Sequence, residues 1–350
     1  MRQESSLAEM FMENGDMPTD IHASVRVAYK APAWLPGGDP QTIWAVALSR
    51  PEVAYRRQRW ELPDGDFLDL DWVDGPPGAP LLVLFHGLEG SSDSHYARFF
   101  MAAAKARGWR GVVPHFRGCS GEMNRLPRAY HSGDSAEIDM ILGRLAREAG
   151  GPIHALGFSL GGNVLLRWLG ERDEAAGELL AGAAAVSAPL DLPAAGAALD
   201  QGFSRLYTAR FLRTLKRKAL DKLDRYPRLY DRAAVAAIDT IKDFDSLVTA
   251  PLHGYRDADD YWARAASKPV LKFIRVPTLL INARNDPFMP GEVLPGPGEV
   301  SERVTLEFPD TGGHVGFVTG PFPGGFAWLP GRVLGYFEAL AGPAVLTAGR

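Results

Sequence analysis

Serine is a weak nucleophile at neutral pH and reacts only where a neighbouring base takes its proton. Ser159 lies in Gly157-Phe158-Ser159-Leu160-Gly161. In a chain with 38 glycines that spacing alone means little; its surroundings are more specific. The apolar run Ile153–Phe158 reads as a buried strand that stops at the serine, and Leu160–Leu169 reads as a helix that starts beside it. A strand that passes into a helix over one residue has no room for side chains two positions before or after the serine. Gly157 and Gly161 occupy both positions. Such a turn lifts the hydroxyl above the carboxyl edge of a sheet, beside the positive end of the helix. The alternative role for Ser159 is that of a plain helix cap.

Two histidines follow Ser159. His253 falls in Leu252-His253-Gly254-Tyr255, within a stretch that lacks strands. His314 falls in Thr311-Gly312-Gly313-His314-Val315-Gly316, after the last strand, where a glycine-flanked loop can lower an imidazole onto the sheet edge. His314 is the expected base. An acid must orient it and stabilise the imidazolium that forms. Asp286, just past the strand Thr278–Asn282, is the expected acid, and Asp191, after the preceding strand, is its rival. The tetrahedral intermediate needs two preorganised donors: the backbone N–H of Leu160, and that of Leu88 in the loop His86–Ser92. His86 is expected to brace that loop.

The elements that must position these residues alternate. Val53–Leu62 and Phe67–Val73 read as an antiparallel hairpin at a sheet edge, with Pro63-Asp64-Gly65-Asp66 as its turn. Leu81–Phe85, Gly111–Phe116, Ile153–Phe158, Ala181–Ser187, Thr278–Asn282 and Val304–Phe308 read as further strands. Tyr96–Arg107, Ser135–Ala149, Leu160–Leu169 and Arg332–Leu340 read as helices. This alternation implies a mostly parallel sheet with helices on both faces. Residues 190–268 carry helical patterns only and are expected to form an inserted cap between core segments 31–189 and 269–350, with residues 1–30 a polar N-terminal arm. In the cap, Phe203–Leu223 is expected to set Phe203, Leu206, Phe211, Leu215 and Leu223 on one side and Arg210, Arg213, Arg217 and Lys218 elsewhere. Phe203, Tyr207, Phe211 and Trp262 are expected to line an apolar pocket.

Composition narrows the class. The chain has 350 residues, 46% of them hydrophobic and 23% charged, with a formal charge of −4. A core of ordinary size follows, and neither the charge nor any module suits nucleic acid. No apolar run is long enough to span a bilayer; a peripheral lipid contact through the basic cap helix is compatible with the pattern. The single cysteine, Cys119, allows no internal disulfide and fits a reducing compartment. With no secretory segment in the first thirty residues, the expected location is cytoplasmic. His86, His95, His115 and His131 lack metal-binding spacing, and no phosphate loop is present, so neither metal nor organic cofactor is expected. The sequence does not set the oligomeric state.

Several longer stretches together resemble the YheT-like branch of the α/β-hydrolase superfamily, a group of esterases: His86–Ser91 (HGLEGS), Phe116–Arg125 (FRGCSGEMNR), Tyr130–Gly133 (YHSG), Gly157–Asn163 (GFSLGGN), Asn285–Pro290 (NDPFMP) and Gly312–Phe317 (GGHVGF), with the neighbourhoods of Trp34–Gly37 and Gln41–Thr42. The resemblance implies an α/β-hydrolase fold with an eight-stranded, mostly parallel sheet and a helical cap. It also implies a triad on Ser159, Asp286 and His314, in the chain order of that fold. Cleavage of carboxylic esters, acyl or lipid-like, through an acyl-enzyme would follow. One departure is Asp39, which stands two residues before Gln41-Thr42 where many relatives carry histidine. Two other functions compete: acyl transfer to an alcohol, against which the missing His-x-x-x-x-Asp pattern counts, and a catalytically silent ligand-binding scaffold.

Overall fold

A computed structural model of the chain describes residues 28–341. The arm expected over residues 1–30 lies outside the described residues except for its last three positions.

Strands β1 (Arg56–Glu61), β2 (Phe67–Val73), β3 (Leu81–Phe85), β4 (Arg110–Pro114), β5 (Ile153–Phe158), β6 (Gly182–Val186), β7 (Thr278–Ile281) and β8 (Val304–Glu307) form one sheet. Their order is β1-β2-β4-β3-β5-β6-β7-β8. β3 to β8 run parallel, and β1 and β2 are antiparallel at one edge. The period-two direction of strand side chains divides the core into two. Leu81, Val83 and Phe85 face one cluster, whereas Leu82 and Leu84 face the other. Helices α3 (Ser135–Ala149) and α4 (Leu160–Arg172) cover the first face; α2 (His95–Ala106) and α11 (Trp328–Leu340) cover the second.

The edge hairpin is shorter than its apolar pattern suggested. Its register is set by charge: Arg57 and Arg59 lie opposite Asp71 and Asp69 and pair with them at 2.8 Å each.

Helix α1 (Gly38–Ala47) escaped the sequence reading because Gly37-Gly38-Asp39-Pro40 looks like a loop. Proline is tolerated there because the first turn of a helix has no internal acceptor for its N–H.

Between β6 and β7 the chain is helical: α5 (Leu192–Leu199), α6 (Ser204–Arg225), α7 (Arg232–Ala237), α8 (Ile241–Phe244), a π-helical turn at Asp245–Thr249, α9 (Ala250–Leu252) and α10 (Ala258–Ala265). These elements bury an apolar cluster of their own, around Leu212, Val235, Phe244, Val248 and Trp262. One expectation needs correction. Phe203 and Leu206 do not join the buried face of α6; they are 49% and 62% exposed and share the outer side with Arg210, Arg213 and Arg217. The buried face is instead carried by Thr208, Leu212, Ala219, Lys222 and Leu223. Among the described residues, no helix is long and apolar enough to cross a membrane.

Candidate active site

Ser159 sits between β5 and α4 with φ 49° and ψ −122°. That backbone is strained for a residue with a Cβ. It persists because both flanks are fixed: Ser159 N–H donates to Val186 O at 2.9 Å, and Ser159 O accepts from Asn163 N–H at 3.0 Å. The glycines at plus and minus two are required by space. A Cβ on Gly157 would lie 2.4 Å from Gly161 O, and one on Gly161 would lie 2.4 Å from Phe85 O.

Three side chains far apart in sequence meet at this turn. Ser159 Oγ lies 2.9 Å from His314 Nε2, and His314 Nδ1 lies 2.8 Å and 3.1 Å from the two oxygens of Asp286. An ionised carboxylate only accepts, so Nδ1 carries the proton and Nε2 is left to accept from the serine hydroxyl. The side chain of Asp286 is wholly buried and that of His314 is 10% exposed. Asp286 Oδ1 also accepts the Phe288 N–H at 2.8 Å, and the Phe288 ring packs on the imidazole at 4.2 Å between centroids. The rivals lie elsewhere: Asp191 caps α5 by accepting from Ala194 N–H, and the His253 ring packs against that of His131, tilted, with centroids 4.1 Å apart.

Leu88 and Leu160 border the same cavity as Ser159 and His314. A Cβ on Gly87 would stand 3.1 Å from the Ser159 Cβ, so the backbone entering Leu88 lies against Ser159. His86, fully buried, fixes that loop: Nδ1–H donates to Gly87 O at 2.8 Å, and Nε2 accepts Phe116 N–H at 3.1 Å. Burial pushes its pKa down to about 3, so it stays neutral and suited to both bonds. His95 contacts Val315 O, and His115 bridges Asp71 and Cys119 O. Burial raises the Cys119 thiol to about 11, leaving it unreactive.

Other residues that hold the site were not recognised as such from the sequence. Gln41 Oε1 accepts the Gly312 N–H at 2.8 Å and the Asn285 amide at 3.1 Å, while Gln41 Nε2 donates to Leu35 O. Thr42 Oγ1 accepts the N–H of His314 itself at 2.8 Å. Asn285 Oδ1 accepts Gly313 N–H at 3.0 Å. Helix α1 thus ties the loop of His314 to the loop of Asp286. Asn163, buried in α4, binds Ser132 O and Ala265 O through its amide and accepts Ser267 N–H. The Gln41-Thr42 pair was the available signal, but without α1 it had no place in three dimensions.

The cavity over Ser159 measures about 590 Å³. Its lining includes the apolar Leu192, Phe211, Phe244, Val248 and Trp262 and the charged Glu89, Arg117, Lys218 and Lys222. Phe203 and Tyr207, expected as lining, are not part of it. Tyr207 donates instead to Asp39, at 3.1 Å, and packs edge-on against Phe288. Among the described residues, no group of three or more His, Cys, Asp or Glu is arranged to hold a metal ion.

The family described as alpha/beta hydrolase fold matches residues 80–321. Over 283 residues the chain is 45% identical to the Escherichia coli (strain K12) protein named "Putative esterase YheT", spanning 79% of this chain and 82% of that one. It is 29% identical over 286 residues to "Phospholipase ABHD3" of Mus musculus, spanning 79% of this chain and 69% of that one. The solved esterase Pf2001 of Pyrococcus furiosus shares the fold at a TM-score of 0.52 and 19% identity, over 90% of this chain and 97% of that one.

Proposed function

Because this chain belongs to the α/β-hydrolase fold family, in its YheT-like branch, we propose that it is a serine esterase that cleaves carboxylic acyl esters. The observation that carries the reading is the unbroken relay Ser159 Oγ–His314 Nε2 and His314 Nδ1–Asp286, at 2.9 and 2.8 Å.

Ser159 Oγ attacks the ester carbonyl carbon while its proton passes to His314 Nε2. The carbonyl oxygen becomes an oxyanion facing the N–H groups of Leu88 and Leu160. Collapse of the tetrahedral intermediate breaks the bond to the alcohol, which leaves with the proton from His314. Water then gives a proton to the same nitrogen and attacks the acyl-enzyme, releasing the acid and restoring Ser159. Asp286 stays ionised throughout and stabilises the imidazolium. The cavity that holds Ser159 is lined by Leu192, Phe211, Phe244, Val248 and Trp262, an apolar surface that suits an acyl chain, and also by the charged Arg117, Lys218 and Lys222. The names of the relatives, an esterase and a phospholipase, agree with ester cleavage. Residues 190–268 act in this reading as a cap that closes over the chain and keeps bulk water out.

A fluorophosphonate probe is expected to label the wild type at Ser159 and to spare Ser159→Ala. That variant is expected to lose at least ~10⁴-fold in kcat on esters that the wild type hydrolyses. Equal labelling of both proteins would refute the proposal. Product analysis with a competing alcohol separates hydrolysis from acyl transfer.

A further inference from the structure

Glu89 directly follows Leu88, and its backbone is left-handed, with φ 54°. A residue with a side chain holds that conformation only under restraint. Three bonds supply it. Glu89 N–H donates to Tyr130 Oη at 2.8 Å, the same hydroxyl donates back to Glu89 Oε1 at 2.8 Å, and Lys218 Nζ donates to that oxygen at 2.8 Å. The Glu89 side chain is 8% exposed and that of Lys218 is 29% exposed. Tyr130 is itself fixed by stacking on Phe116, with centroids 5.4 Å apart and planes 7° from parallel. Burial keeps its hydroxyl protonated, and so a donor, far above the ordinary range.

Lys218 belongs to α6, in the segment between β6 and β7. One turn further along α6, Lys222 Nζ donates to the carbonyls of Leu126, Pro127 and Arg128 at 3.1, 2.6 and 2.6 Å. These residues lead into Tyr130. Helix α6 therefore grips the core along its length: Ser204 holds Pro287 O, Tyr207 holds Asp39, Lys222 holds the Leu126–Arg128 carbonyls, and Lys218 holds the carboxylate of Glu89, the residue after Leu88. The Ser159–His314–Asp286 relay uses neither Glu89 nor Lys218.

We infer that the Glu89–Lys218 ion pair positions the oxyanion site: seating α6 on the core sets the Leu88 N–H, so the site is complete only when the cap is closed. The inference rests on the esterase reading above. A nearly buried carboxylate left with only a tyrosine partner turns towards water. The left-handed backbone of Glu89 relaxes with it, and the neighbouring N–H swings out of line. A donor aimed where charge develops contributes to the transition state far more than to the bound substrate.

The test compares Lys218→Met, Glu89→Gln, their double variant, Lys218→Arg, and Arg213→Met on the exposed face of the same helix. On a short-chain ester, kcat is expected to fall about tenfold or more in Lys218→Met and Glu89→Gln, with KM changed less than about threefold. The double variant is expected to be no worse than the poorer single one, Lys218→Arg to recover most of the loss, and Arg213→Met to match the wild type. A trifluoromethyl ketone supplies the decisive readout. Ser159 Oγ adds to its carbonyl carbon, the proton passes to His314, and the carbonyl oxygen becomes an oxyanion in the proposed site. Its inhibition is expected to weaken in step with kcat, while binding of the matching secondary alcohol, which has no carbonyl, stays unchanged. Equal weakening of both ligands, or an unchanged kcat in folded Lys218→Met, overturns the inference and leaves the esterase reading standing. A wild type that neither turns over esters nor labels at Ser159 brings down both.

Discussion

The carboxylate of Asp286 holds His314 with both of its oxygens, Oδ2 at 2.8 Å and Oδ1 at 3.1 Å from Nδ1. Oδ1 is simultaneously tied to Phe288 N–H. In Asp286→Asn the amide oxygen keeps that backbone bond, which turns the NH₂ group towards Nδ1. Two donors cannot face each other, so the proton of the imidazole moves to Nε2 and Ser159 loses its base. The expected result is a fall in kcat of about 10⁴-fold with little change in fold or KM, since only the tautomer is wrong. Steady-state kinetics with circular dichroism as a control checks it; a loss smaller than about tenfold would show that the acid lies elsewhere.

Gln41 is the residue whose loss would most loosen the base without touching it. Its side chain satisfies Gly312 N–H and Leu35 O, both inside the protein. Gln41→Leu keeps the approximate volume and leaves both groups unpaired, at about 1–3 kcal/mol each. Thermal stability is expected to drop together with kcat, whereas Thr42→Val, which removes the acceptor of His314 N–H and a donor to Gly38 O within the first turn of α1, is expected to affect kcat more than stability. The two effects are separable by pairing melting curves with kinetics. A Gln41→Leu protein as stable as the wild type would refute the bracing role of α1.

Much of this arrangement could be read from residue order. The buried runs Leu81–Phe85 and Ile153–Phe158 are strands over those same residues, because strands buried on both faces are uniformly apolar and flanked by turns. Ser159 directly follows β5, and Asp286 and His314 lie in the loops that follow β7 and β8, where a loop's position follows from the sheet. Helix α1 and α6 lacked that advantage. The first begins in turn-forming residues. In the second, Phe203 and Leu206 sit outside with arginines, so hydrophobicity misreports the buried face. Glu89 and Lys218 are 129 residues apart and charged, and no local pattern distinguishes a lysine that clamps a loop from one that is solvated.

His131, before α3, and His253, in the helical segment between β6 and β7, pack with ring centroids 4.1 Å apart and planes tilted by 43°, and burial lowers the pKa of each to about 3. Arg128 beside His131 adds to the depression, whereas Asp134 opposes it for His253. Both are neutral in the folded chain, but once unfolded they titrate near the ordinary 6.5. Below that pH the unfolded chain binds more protons than the folded one, so stability is full above about 6.5 and declines as pH falls towards 3. Each such imidazole steepens the decline by ~1.4 kcal/mol per pH unit. His253 Nε2 has no hydrogen-bond partner among the described residues, so His253→Phe keeps an aromatic ring against His131 and removes one proton-binding site. Unfolding curves between pH 4 and 7 are expected to show a shallower acid slope for the variant. Equal slopes would mean that His253 does not differ between the two states.

The apolar cavity predicts how rate should depend on acyl length. Each methylene that passes from water to the wall formed by Leu192, Phe244, Val248 and Trp262 gains ~0.8 kcal/mol. Since kcat/KM reports the transition state against free ester, it is expected to rise by about fourfold per methylene until the chain meets the end of the cavity, and then to flatten or fall. Val248 is 3% exposed and belongs to that wall. Val248→Phe narrows the space along that wall, so it is expected to move the optimum to shorter chains while leaving kcat/KM for acetyl esters close to wild type. A p-nitrophenyl ester series measured on both proteins checks this. A wild type indifferent to chain length, or a variant that loses acetyl and long-chain activity alike, would place the acyl group somewhere other than this cavity.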